Sequence, residues 1–139
     1  MSSAEKGTWL YLIVNALTYV AYLAIVLGRS GTTPLVEVDY VPVMLGAIGA
    51  AVGLTIVGRI AIEIAGPRET HRPDVRDREI DHFGEYVGGV TLAVGMVLPF
   101  GLTLAEFDHF WIGNAIYLVF STYAFIGSAI KLVAYRRGI

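Results

Sequence analysis

Three groups of residues in this 139-residue chain could do chemistry. The densest is Asp74-Val-Arg-Asp-Arg-Glu-Ile80, followed by Asp81, His82 and Glu85. On a helix Asp74, Asp77, Asp81 and Glu85 recur every three or four residues and share one face. Like charges on one face repel, so positive charge must sit opposite them. A divalent cation is one source, with Asp77, Asp81 and His82 as ligands. Intramolecular pairing with Arg59, Lys131, Arg136 and Arg137 is the other, and the stronger reading for a charge run beside apolar segments.

The second group is Arg59 and Glu63, four residues apart inside an apolar stretch. Ionisable residues at membrane depth cost free energy and point to substrate binding or proton coupling. An i,i+4 bridge, with Arg59 snorkelling to the interface, is the simpler explanation. The third group is Glu106 and His109, the Glu-x-x-His spacing of helical di-metal carboxylate sites. Those sites need two such motifs with further glutamates, whereas this chain has one, so a polar turn is the plainer reading.

Missing residue types exclude whole classes. With no cysteine, disulfide scaffolds, Cys-ligated zinc, iron–sulfur clusters and thiol redox chemistry are ruled out. None of His71, His82 and His109 falls within an apolar run, which argues against intramembrane haem. No nucleophile–base–acid set and no phosphate-binding glycine loop is present. A net charge of -2 carries no nucleic-acid signature. The resulting expectation is a non-enzymatic protein with no resident cofactor, a divalent metal being the one cofactor the residues admit.

The elements that must position these groups are membrane helices. Apolar residues make up 55% and charged residues 16% of the chain, and the mean hydropathy is +0.64. Soluble domains carry about 45–50% and about 25%. Because the charges cluster, they leave apolar runs of roughly 20 residues, enough to cross a bilayer core. Spans are expected at 8–28, 41–65, 86–105 and 110–135, with a charged segment at 66–85. The run at 8–28 is too long for a cleavable leader. Pro42 suits the first turn of the second span and Gly66-Pro67 ends it. Pro99 predicts a kink between residues 95 and 99. Pro73 and Asp74 allow the charged segment to run into the third span as one helix projecting into the cytoplasm.

Four crossings put both termini on one side. Lys6, Arg68, Arg72, Arg76, Arg78, Lys131, Arg136 and Arg137 fall on that side, and Arg29 stands alone opposite with Glu37, Asp39, Glu106 and Asp108. The positive-inside rule makes that side cytoplasmic, in the inner (plasma) membrane. The expected fold is therefore an all-α, integral-membrane four-helix bundle, N-in and C-in, with a third helix extended into the cytoplasm. Gly46, Gly49, Ala50 and Gly53, and the pair Gly84 and Gly88, form small-residue faces suited to a sister helix or to a homodimer. Asn15, Thr18, Thr55, Thr91, Asn114, Ser121, Thr122 and Ser128 are candidates for interhelical hydrogen bonds.

The motif 74–80 followed by Phe83-Gly-Glu-Tyr86, together with Glu106-Phe-Asp-His-Phe-Trp111 and Ala134-Tyr-Arg-Arg-Gly138, resembles small bacterial four-span membrane proteins of uncharacterised function. Their cytoplasmic loop carries a similar Asp-x-Arg-Asp-x-x-Ile stretch. The resemblance implies four spans and brings no activity with it. The leading expectation is a binding, accessory or regulatory protein that meets a cytoplasmic protein through Asp74, Arg76, Asp77, Arg78, Glu79 and Asp81. A homo-oligomeric small-solute or ion transporter, with Arg59 and Glu63 on its path, is the second expectation. A metal-dependent membrane enzyme is the third.

Overall fold

The computed structural model describes residues 3–66 and 75–137; Asp74 lies outside them. Helix α1 spans Ser3–Arg29, α2 Val41–Ala65, α3 Val75–Gly95, α4 Val97–Leu104 and α5 His109–Arg137, with a 3-10 turn at Leu35–Glu37 before α2. Four helices are long and apolar enough to cross a membrane, α3 and α4 counting together as Val75–Leu104. There is no strand among the described residues.

Two helices begin earlier than hydropathy suggests. α1 starts at Ser3 instead of residue 8, because Ala4, Glu5 and Lys6 are good helix formers and Glu5 in the first turn suits the positive end of the dipole. α3 starts at Val75 instead of residue 86, so the described part of the charged segment is helical and continuous with the third apolar stretch. Apolarity marks where a helix could enter hydrocarbon. It does not mark where the helix begins.

The third stretch breaks at Met96. Pro99 offers no N–H to the Gly95 carbonyl and its ring crowds that oxygen, so regular helix stops at Gly95 and restarts at Val97. Backbone bonds from Met96 to Leu92 (2.9 Å) and from Phe100 to Met96 (3.1 Å) hold the two pieces in line. α4 ends in a Schellman motif: the Phe107 N–H donates to the Leu102 carbonyl and the Glu106 N–H to the Thr103 carbonyl. Glu106 occupies the left-handed position of that motif, with φ of 59°.

The helices pack antiparallel to their neighbours in the order α2, α1, α5, then α3 with α4; no substantial contact joins α2 to α3 or α4. At one end Tyr22, Val26, Val38 and Phe110 form a buried core, where the Tyr22 hydroxyl donates to Asn114 Oδ1 across α1 and α5. This is the exception among the polar residues expected to join helices. Asn15, Thr18, Thr91 and Thr122 each donate to a carbonyl four residues back in their own helix. A hydroxyl or amide in hydrocarbon needs a partner, and the preceding turn is the nearest acceptor.

The small-residue faces divide by location. A Cβ on Gly88 would come within 3.0 Å of the Tyr123 ring and 3.7 Å of Gly127, so α3 and α5 meet nearly backbone to backbone. Gly46, Gly49 and Gly53 face open space, and α2 buries no residue.

Two outcomes follow. Gly88→Leu should destabilise the protein by about 1–3 kcal/mol through overpacking, whereas Gly49→Leu, which meets open space in mid-helix, should be neutral or stabilising by up to about 1 kcal/mol; unfolding titrations in mild detergent compare them. Glu106→Gly should stabilise by about 0.5–1 kcal/mol, because glycine adopts a positive φ without a Cβ clash, and should raise the midpoint of the same titration.

Candidate functional site

The acidic face of α3 borders α5, which supplies its partners. Asp77 is buried, with 9% of its surface exposed, and interacts with the Tyr135 hydroxyl. One turn on, Lys131 Nζ lies 2.8 Å from Asp81 Oδ1 and 2.8 Å from Glu85 Oε1. The Tyr123 hydroxyl donates to the other Glu85 oxygen at 2.7 Å. Gly84 makes this geometry available, because the Lys131 stem lies where its Cβ would be. The acids at 77, 81 and 85 thus find a lysine and two tyrosines already on the protein.

Arg76 works on the other flank of α3. Its guanidinium donates to the Tyr135 carbonyl at 2.8 Å and the Ala134 carbonyl at 3.3 Å, and lies 5.8 Å from the Tyr135 ring centroid. It therefore caps carbonyls that the end of α5 leaves unpaired. Arg136, expected opposite the acids, instead approaches Glu5 at 3.9 Å. Glu79 and His82 are exposed on α3, and Arg78 lines a cavity at this end.

That cavity, about 230 Å³, is where all four apolar segments contribute side chains: Thr8 and Tyr11 from α1, Arg59 from α2, Asp77, Arg78, Asp81 and His82 from α3, and Ser128, Lys131 and Tyr135 from α5. Arg59 reaches it by lying across α1. A Cβ on Gly7 would fall 3.0 Å from the Arg59 Cζ, so a larger residue there would push the guanidinium aside. No ion pair joins Arg59 to Glu63 among the described residues, and Glu63 is exposed outside the cavity. The expected i,i+4 bridge is thus replaced by a separation. Arg59 turns toward the neighbouring helices, where its long side chain covers the end of α1.

The metal candidates do not converge. Among the described residues no group of three His, Asp or Glu side chains could hold an ion. Asp81 Oδ1 is already held by Lys131 Nζ at 2.8 Å. Glu106 and His109 do not share a helix face, because Glu106 terminates α4 and His109 begins α5. They lie at the opposite end of the protein from Asp77, Asp81 and His82, some thirty helical residues away along Val75–Leu104.

Comparison with protein-family models, with curated proteins and with solved structures returned no match to this chain. Its role must be argued from its own geometry. Sequence reasoning located the acids but missed Tyr123 and Tyr135 as partners, and missed Gly7. The available signal was spacing: 123, 127, 131 and 135 repeat every four residues on α5, matching 77, 81 and 85 on α3.

The lysine clamp should be modest in strength, because the Asp81 and Glu85 side chains are 64% and 53% exposed. A double-mutant cycle of Lys131→Met with Asp81→Asn should give a coupling of about 0.2–1 kcal/mol that shrinks with added salt. Lys131→Ala should cost more than Lys131→Met, because it also removes the stem packed on Gly84.

Proposed function

We propose that this chain is a multi-pass protein of the inner membrane, with both termini and the charged end of α3 in the cytoplasm, working as a binding or accessory protein and not as a catalyst. The orientation rests on charge. Lys6, Arg76, Arg78, Lys131, Arg136 and Arg137 lie at one end of the helices, and Arg29 lies at the other with Glu37, Asp39, Glu106 and Asp108.

One observation carries the binding reading. With Arg76, Asp77, Asp81 and Glu85 committed to α5 and His82 lining the polar cavity, the face of α3 turned away from the protein presents Val75, Glu79, Phe83 and Tyr86. Val75 is 70% exposed, Phe83 49% and Tyr86 71%. Apolar and aromatic side chains interleaved with a carboxylate at the polar end of a helix suit a protein partner. The interaction surface expected over residues 74–81 is accordingly redrawn: its inward members build the scaffold, and its outward members, continued to Tyr86, meet the partner.

The absence of native cysteine makes both parts testable with single-cysteine and photo-crosslinking variants. In intact cells Asp39→Cys should react with an impermeant maleimide, and Arg137→Cys only after permeabilisation. A photo-crosslinking residue at position 79 should capture a soluble cytoplasmic protein, and the adduct should vanish with Tyr86→Ala. A crosslinker at Phe100 is the control. Equal adducts at positions 79 and 100, or none at either, would remove the proposal.

A further inference from the structure

A second cavity, about 620 Å³, lies between α1, α2 and α5 and is mostly apolar. It shares Tyr11 with the polar cavity. On α1, α2 and α5, which line both cavities, the lining residues continue one another. On α1 they run Thr8, Tyr11, Asn15 and Thr18; on α2, Ile48, Val52, Thr55 and then Arg59; on α5, Tyr117, Ser121 and Ala124, then Ser128, Lys131 and Tyr135. These are single helix faces at three- and four-residue spacing, so the two cavities form one groove. From Met44 to Arg59 the lining of α2 runs about 22 Å by helical rise. That is most of a roughly 30 Å hydrocarbon core, long enough for one extended tail.

Charge at the polar end decides what could enter. Lys131 is committed to Asp81 and Glu85, and Asp77 interacts with Tyr135. Arg59 and Arg78 both line this end, and among the described residues neither has a carboxylate partner. A guanidinium matches a phosphate with two parallel hydrogen bonds, and the missing Cβ of Gly7 leaves room for that of Arg59. The apolar stretch takes a hydrocarbon tail, and a volume of about 620 Å³ is within the range of small-molecule sites.

We propose that this groove holds one lipid with an anionic phosphate headgroup, the phosphate on Arg59 and Arg78 and one tail lying between α1, α2 and α5. Neither half of the groove accounts for the occupant alone: free phosphate leaves the apolar stretch empty, and an uncharged headgroup gives the two arginines no anion. The site is separate from the outward face of α3 assigned to a protein partner, so either assignment can fail without the other.

Native mass spectrometry of the full chain released from a neutral detergent tests the proposal. The probes are palmitoyl lysophosphatidic acid, palmitoyl lysophosphatidylcholine and inorganic phosphate. One lysophosphatidic acid should bind per chain, about tenfold or more tighter than the phosphocholine lipid, given the strength of charge-assisted hydrogen bonds. Arg59→Gln and Gly7→Leu should each weaken it about tenfold or more, Arg59→Lys less, and Arg137→Gln not at all. Ala51→Trp, which fills the apolar stretch, should weaken it while circular dichroism reports an unchanged helix content. Equal binding of the two lipids, or unchanged binding by Arg59→Gln with helix content intact, overturns the proposal. Inorganic phosphate displacing the lipid at an equal concentration would also overturn it, by showing a headgroup site without a tail site.

Discussion

Hydrocarbon offers a peptide group no hydrogen-bond partner, and helices long and apolar enough to cross a membrane meet that constraint inside the chain. Four apolar helices satisfy their own backbones. Asn15, Thr18, Thr91, Thr103 and Thr122 do the same, turning back on carbonyls one turn earlier. Where Pro99 removes a donor, the regular helix is interrupted at a single residue and resumes. The groups that cannot be satisfied locally are the charges, and they are gathered at the helix ends.

Helix association must then come from shape and from a few polar contacts, because lipid tails are as apolar as the side chains they touch. α5 is the shared wall. Gly127 admits α3, Lys131 and Tyr123 hold its acids, and Asn114 receives Tyr22 from α1. α2 depends on α1 alone for substantial contact, and it leaves beside α5 the space that becomes the groove. The open row and the cavity are therefore one fact. A ring closed between α2 and α3 would need close contact at a face where Gly46, Gly49 and Gly53 meet nothing.

The polar end shows how a charge run becomes architecture. An aspartate, a lysine and two arginines of similar sequence character have four different fates: Asp77 is buried, Lys131 joins two carboxylates, Arg76 caps α5, and Arg59 lies over Gly7. The separation comes from the helix faces on which they stand. Positions 77, 80, 84 and 88 face α5 and are buried, leaving 75, 79, 83 and 86 to point away.

Composition and periodicity alone determined the helical class, the four apolar segments, the ends of α2 and the break before Pro99, because each depends on local chemistry: transfer to hydrocarbon, a missing N–H, a stop at Gly66-Pro67. They also put the acids of α3 on one face. Only tertiary structure decided what answered those acids, since Lys131, Tyr123 and Tyr135 are some forty to sixty residues distant in sequence and spacing within one helix carries no information about a second. The same holds for Arg59, whose guanidinium finds room beside a glycine on another helix, and for Glu106 and His109, which a turn separates despite a helical interval. The groove exists for that reason as well: its walls come from three segments that meet only when α1 lies between α2 and α5.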